Sequence, residues 1–98
     1  MDPHQFTLLK LLTAPIFGRS PRPQVDFKRL VAAHERLGLP TPTPAQLRDA
    51  MQMLKGRGSV NTQPKILLRE ELETCRFEVW ITPLGRDHLA AARAEQDA

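Results

Sequence analysis

One stretch of the chain, from Thr43 to Leu89, constrains the fold more than any other. It opens with Thr43-Pro44-Ala45-Gln46, a capping-box pattern with Pro in the first turn, which predicts that a helix begins there. Gly56 and Gly58 predict the end of this helix. The following residues alternate in polarity as a two-stranded β-ribbon does, and Thr82-Pro83 predicts the start of a last helix.

The ribbon has a definite predicted register if residues 71–74 form its loop. Antiparallel pairing then joins Glu70 to Cys75, Leu68 to Phe77 and Ile66 to Val79. That register gathers on one face Ile66, Leu68, Phe77, Val79 and Ile81, and on the other Lys65, Arg69, Arg76 and Glu78. Leu67 and Trp80 are the exceptions, because both fall on the polar face and form an apolar patch there. Either the last helix or a second subunit is expected to cover this patch.

Two helices are predicted before this stretch. Asp2-Pro3 predicts the start of the first, and Pro15 and Gly18 its end. Residues 15–25 form a long loop that holds either a short strand or a surface contact. Asp26 and Gly38 predict the limits of the second helix. The predicted apolar stripes are, in helix order, Phe6, Leu8, Leu9 and Leu12; Phe27, Leu30, Val31, His34 and Leu37; Leu47, Ala50, Met51 and Leu54; and Leu84, His88, Leu89, Ala91 and Ala92.

This order of elements resembles that of winged helix-turn-helix proteins. The pattern at residues 53–60 resembles the passage from a recognition helix into its wing, and Ile81-Thr82-Pro83-Leu84-Gly85-Arg86 resembles the "Leu-Thr-x-x-Gly-Arg" start of the last helix in bacterial MarR- and PadR-type regulators. The resemblance implies an α+β fold with three helices, a two-stranded wing and a C-terminal helix. We expect a single domain over residues 1–98, with a frayed tail at 94–98.

The resemblance also implies a function, the regulation of transcription by a protein that binds double-stranded DNA. The third helix, residues 43–56, would enter the major groove. Ala45, Arg48, Asp49 and Gln52 are expected to face outward, with Lys55 at the border. Arg48 can contact guanine or phosphate, and Gln52 can read adenine. The predicted DNA-binding residues are Thr43, Gln46, Arg48, Gln52 and Lys55, with Arg29 and Arg36 of the second helix and Arg19 and Arg22 of the loop.

The acidic residues favour a different function, a winged-helix module that binds a protein and not DNA. Asp49 lies in the middle of the third helix's outer face and would repel phosphates. The predicted wing tip carries Glu70, Glu71 and Glu73. A wing that contacts DNA would be expected to carry Lys or Arg there, because carboxylates repel phosphates. A plain solvated surface accounts for the tip as well, for the mixed charges on the outer face of the third helix, and for the arginines of the second helix and the loop.

A homodimer is expected from the terminal helices, which are the usual dimerising elements in the resembled regulators. The residues predicted at the dimer interface are Leu67, Trp80, Leu84 and Leu89.

Charge is distributed unevenly along the chain. Residues 1–64 carry nine Lys or Arg against four Asp or Glu, whereas residues 65–98 carry five against seven. A basic front half suits a polyanionic partner, although a solvated surface accounts for so modest an excess nearly as well.

Several functions are disfavoured by the sequence. His4, His34, His88 and Cys75 are not arranged at zinc-type spacing, and no nucleophile–base motif or glycine-rich phosphate loop is visible, so we expect no metal, cofactor or catalysis. No apolar run approaches the ~20 residues of a membrane span. No signal peptide is apparent, and the single cysteine favours a reducing cytoplasm.

Overall fold

The structure is a computed structural model that describes residues 2–18, 20–63, 74 and 76–97. In this part the chain is an α+β protein with four α-helices and a three-stranded antiparallel sheet. The elements in chain order are α1 (Pro3–Thr13), a 3-10 turn (Pro15–Phe17), β1 (Gln24–Val25), α2 (Phe27–Arg36), α3 (Pro44–Gly56), β2 (Val60–Gln63), β3 (Phe77–Ile81) and α4 (Pro83–Asp97).

The predicted helix starts are confirmed by their caps. The Asp2 carboxylate accepts the backbone N–H of His4 at 2.8 Å. Asp26 does the same for the N–H of Arg29, also at 2.8 Å. At α3 the capping box is complete, because each side chain of Thr43 and Gln46 accepts the other residue's backbone N–H, at 3.2 and 2.9 Å. These bonds satisfy N–H groups that a helix leaves unpaired in its first turn.

The sheet differs from the predicted ribbon in two ways. Its strand order is β1-β3-β2, so the 15–25 loop does supply a short strand, and the sheet has three strands where two were expected. The predicted pairing of Val79 with Ile66 is wrong, because Val79 pairs with Thr62. The strand β2 begins at Val60, directly after the turn that ends α3, and this fixes a register four residues earlier. The other two predicted pairs lie outside the described residues.

The core lies between the helices and one face of the sheet. Helix α1 packs against α3, α4 and β3, and α3 also packs against β2. The buried apolar side chains are Phe6, Leu8, Leu9, Leu11, Val25, Leu30, Ala33, Leu47, Ala50, Met51, Leu54, Val60, Phe77, Val79, Leu89 and Ala92. Most of the predicted stripe residues belong to this set, which confirms the helical periodicity on which they were chosen.

Some predicted core positions are not buried. Leu37 is 43% exposed because α2 ends at Arg36, so Leu37 no longer follows the helical phase of the stripe. Leu84 is 47% exposed, and Ala91, on the same side of α4, is exposed as well. Gly85, one residue later, faces the protein body instead.

Helix α4 runs to Asp97 and so includes most of the predicted tail, whose fraying stays a prediction. In the described part of the chain, every helix is too short or too polar to cross a membrane.

Candidate nucleic-acid interface

Helix α3 presents a polar face to solvent, as its sequence predicts. Its four stripe residues are buried, whereas Ala45, Asp49 and Gln52 are exposed and Arg48 is half-buried. The capping box fixes where the helix starts, and the burial of the stripe residues decides which residues face outward. Gln52 is the residue of this face that is best placed to meet a partner, because its amide is exposed and both donates and accepts hydrogen bonds.

Arg48 is less free than the sequence suggests. Its guanidinium Nη2 lies 3.4 Å from a carboxylate oxygen of the neighbouring Asp49, and the two side chains are 34% and 65% exposed. The Nε of Arg48 is buried and has no hydrogen-bond partner. An arginine held in this way offers only its terminal nitrogens to a partner, and part of its charge is already neutralised by Asp49.

The remaining predicted contacts on α3 have mixed roles. Thr43 and Gln46 are exposed, but their side chains are engaged in the capping box. Lys55 is half-buried at the border of the outer face, and desolvation lowers the pKa of its ammonium group. These positions suit backbone or rim contacts better than base reading.

The arginines outside α3 lie mostly on the protein's own surface aromatics. Arg29 donates from Nη1 to the carbonyl of Gln24 at 2.9 Å, and its guanidinium lies 5.9 Å from the centre of the Phe17 ring. Arg22 lies over the Trp80 ring at 4.2 Å. These contacts hold the 15–25 loop against α2 and the sheet. Arg36 is exposed on α2, and Arg19 lies outside the described residues.

A groove beside the α3 face was not predicted. It has a volume of about 390 Å³ and lies between the N-terminal end of α1 and α3. Asp2, Asp49 and Met53 line it, and Met53 is 51% exposed. Gln5, at its edge, is buried and its Oε1 has no partner. The signal for Gln5 was present in the sequence, since it precedes Leu9 by four residues and so lies on the inner side of α1.

The residues predicted at a dimer interface occupy different environments. Leu89 lies in the core of its own chain, and this accounts for its apolar character without a partner. Leu84 is exposed, Trp80 is half-buried under Arg22, and Leu67 lies outside the described residues. The apolar residues of α1 are likewise buried within the chain, apart from the half-buried Leu12. Of the terminal helices, α4 is therefore the one with apolar surface to offer.

Two of the histidines, His34 and His88, have structural partners. The Nδ1–H of the buried His34 donates to the carbonyl of Leu30 at 2.6 Å. His88 Nδ1 lies 2.6 Å from the hydroxyl of Ser59, which is fully buried. Within the described residues, no three His, Cys, Asp or Glu side chains are grouped as a metal site requires.

No family model, curated protein or solved structure matches the chain. The outer face of α3 offers an amide, a guanidinium and a carboxylate within two helical turns. Such a set of donors and acceptors is able to form direct hydrogen bonds with a polar partner.

Proposed function

We propose that this chain is a winged-helix protein that binds double-stranded DNA through α3 and regulates transcription as a dimer. The order of its elements supports this proposal. A helix, a short strand, two helices, a two-stranded ribbon and a last helix follow one another, and β1 adds to the free edge of β3. This is the order in which winged-helix proteins place their recognition helix directly before the wing.

The observation that carries the proposal is the polar outer face of α3, led by Gln52 and Arg48. An α-helix fits the major groove, where Gln pairs with adenine and Arg with guanine. A pair of this kind discriminates between bases by about 1–3 kcal/mol. Gln52 is exposed and makes no side-chain hydrogen bond to the described residues, so it can meet a base without first breaking a contact.

The charge around α3 gives further support to the proposal. Arg57, the C-terminal cap of α3, is exposed beside the half-buried Lys55, and the first 64 residues carry an excess of five positive charges. Cations at the end of the helix can lie along the phosphate backbone on either side of the groove. Asp49 acts against this, because it repels phosphates and neutralises part of the charge of Arg48.

The proposed dimer uses the exposed side of α4. Leu84 and Ala91 are seven residues apart and lie on one side of that helix, both exposed. Small and apolar residues at this spacing let two helices pack closely. A two-fold dimer would present two α3 helices to successive half-sites of a palindromic operator.

A second function, a module that binds a protein and not DNA, is favoured by one specific observation. The groove between α1 and α3 joins Asp2 and Asp49 to the exposed Met53, and this combination of carboxylates with apolar surface suits a basic peptide. The same groove lies beside the outer face of α3 that is proposed to bind DNA. The carboxylate of Asp49 should therefore oppose the binding of DNA but favour the binding of a basic peptide.

In the deciding experiment, genomic DNA fragments are incubated with the full chain at low and at moderate salt. The fragments that the protein retains at each salt concentration are then sequenced. Specific binding is expected to enrich a common sequence that survives the rise in salt, whereas non-specific binding weakens steeply. Q52A should reduce the discrimination at one base position. Q96A, which changes an exposed Gln near the end of α4, is the matched control and should leave binding unchanged.

Two results would contradict the proposal. Absence of any sequence enrichment at both salt concentrations would favour the protein-binding module. If Q52A bound every DNA sequence more weakly by the same factor, Gln52 would contact the DNA backbone and not a base.

A further inference from the structure

The groove between α1 and α3 is lined by negative charge. Asp2, the N-terminal cap of α1, and Asp49, on the outer face of α3, both line it, and no Lys or Arg among the described residues does so. The N-terminal end of a helix carries a partial positive charge of about one half, which the two carboxylates outweigh. The groove therefore attracts a cation.

Gln5 is an independent sign that a ligand belongs in this groove. It lines the groove and is only 7% exposed, and its amide oxygen Oε1 is buried without a hydrogen-bond partner among the described residues. Native proteins rarely leave a buried polar atom unpaired, so such an atom calls for a bound molecule that pairs with it. Carboxylates and amide oxygens only accept hydrogen bonds, and the missing group is therefore a donor.

The apolar part of the groove is small and aliphatic. The exposed Met53 and the buried Ala50 supply it. No Phe, Tyr or Trp in the described part of the chain lines the groove, so it lacks the aromatic anchors that dominate many protein interfaces. Its volume of about 390 Å³ lies near the lower end of the range for small-molecule sites. These properties fit a short flexible ligand better than a docked protein.

The carboxylate of Asp49 can be reached by a ligand although Arg48 pairs with it. The two side chains lie 3.4 Å apart, and both are partly exposed to solvent. Ion pairs so exposed to water are weak. A ligand with two positive charges can therefore compete with Arg48 for this carboxylate.

We propose that the groove binds a linear aliphatic diamine. Its two ammonium groups pair with Asp2 and Asp49, and one of them also donates to Oε1 of Gln5. The methylene chain lies along Met53, as the stem of a lysine lies along apolar surface. An ammonium group has three donors and no acceptor, which matches a lining of acceptors. The site does not depend on DNA binding, and its test uses no DNA.

A bare metal ion does not fit the groove as well. Within the described residues, no three His, Cys, Asp or Glu side chains are grouped as a metal site requires. A basic peptide is the other occupant that this chemistry admits, and the test separates it from the diamine.

The chain supplies its own reporter, because Met53 is one of only three methionines. With ¹³C-methyl-labelled methionine, its methyl resonance is assigned from its loss in M53L and followed while 1,4-diaminobutane is added at constant ionic strength. The diamine should shift this resonance saturably and leave that of the buried Met51 in place. Butylamine, with one ammonium group, should bind about fivefold more weakly. Neither 1,4-butanediol nor magnesium chloride should cause a saturable shift.

The carboxylates are tested with D2N and D49N. Asn also caps helices, so D2N removes the charge and keeps the cap. D26N is its matched control, because it makes the same change at the cap of α2, outside the groove. D87N is the control for D49N, since Asp87 is an exposed Asp of α4 that does not line the groove. D2N and D49N should each weaken diamine binding about threefold to fivefold, whereas both controls should bind as the wild type does.

The buried amide is tested with Q5L. Leu fills similar space without the polar atoms, so the fold should be retained while diamine binding weakens about threefold to tenfold. The backbone resonances of each variant verify that it is folded. The carboxylate variants test the site independently of Gln5.

Any of four results would overturn the site: no saturable shift with 1,4-diaminobutane, an equal shift with butanediol or magnesium chloride, equal affinity of folded Q5L and wild type, or equal affinity of either carboxylate variant and its control. A peptide with two lysines that bound at least about tenfold more tightly than the diamine would overturn the small-molecule occupant and favour the protein-binding module.

Discussion

Gly85 lies directly against the backbone carbonyl of Ser59. A Cβ on Gly85 would overlap the Ser59 oxygen, so no side chain fits at this position of α4. The same carbonyl accepts the backbone N–H of Thr82 at 3.0 Å. The turn that ends α3 and the turn that begins α4 therefore share one close backbone contact, and this contact sets where the sheet meets the last helix.

The first prediction concerns this contact. G85A should lower the free energy of unfolding by about 1–3 kcal/mol or more, because the new methyl group forces two backbone segments apart. G56A is the matched control, since a Cβ at Gly56, the last residue of α3, meets open space. It should leave stability unchanged or raise it by up to about 1 kcal/mol. Urea denaturation of both variants measures the difference, and equal stabilities would refute the close packing.

Thr82 gives a second prediction about the same junction. Its hydroxyl donates to the carbonyls of Gly58 and Ser59 and accepts the Gly85 N–H at 2.9 Å. T82V keeps the shape but removes these bonds, and should cost about 1–3 kcal/mol. T82S should recover most of the loss. T43V removes only an exposed cap and should cost less, about 1 kcal/mol. If thermal or urea unfolding showed that T82V and T43V lower the free energy of unfolding equally, the hydrogen bonds of Thr82 would not stabilise the junction more than an exposed cap does.

A third prediction separates packing from hydrogen bonding at His34. Its imidazole is buried, but its partner, the Leu30 carbonyl, also accepts the backbone N–H of residue 34 within α2. H34L fills similar space and strands no polar group, so stability should change by less than about 1 kcal/mol. H34A leaves a cavity and should cost about 2 kcal/mol or more. If chemical denaturation shows that H34L is as unstable as H34A, the hydrogen bond itself is required.

The fourth prediction rests on the proposed function. D49N removes a carboxylate from the middle of the α3 face and releases Arg48 from its ion pair, so it should tighten DNA binding. The gain should be largest at low salt, since ions screen the repulsion that is lost. D87N changes an exposed Asp of α4 and serves as the control. Fluorescence anisotropy over a salt series tests this, and weaker binding by folded D49N would mean that the carboxylate contacts a base.

The last prediction concerns assembly. L84E places a charge in the exposed apolar surface of α4 and should convert a wild-type dimer to a monomer in sedimentation. L37E is the matched control, because Leu37 is exposed to a similar degree at the end of α2. Circular dichroism shows whether each variant is folded. A monomeric wild type, or a dimer that survives L84E, would remove Leu84 from the interface, and a monomeric wild type would also remove the expectation of a palindromic operator.

The sequence predicts the helices of this protein well because their signals are local. Capping by Asp2, Asp26, Thr43 and Thr82 involves residues two or three positions away, and the buried stripe of α3 follows from helical spacing alone. The exposed face of α3, and with it Gln52 as a candidate contact, is fixed by the same periodicity.

Only the tertiary structure decided the register of the sheet and the presence of a third strand. It also decided which arginines pack against the protein's own aromatic rings. Pairing of Val79 with Thr62 depends on where α3 ends and β2 begins, and a periodicity of two fits several registers. The two residues of β1 carry too little pattern to be recognised without their partner β3. The positions of Arg22 over Trp80 and Arg29 over Phe17 are also long-range, because only folding brings the loop to the sheet and to α2. Spacing along the chain thus determined each helix, whereas contacts between distant segments decided which polar groups remain available to a partner.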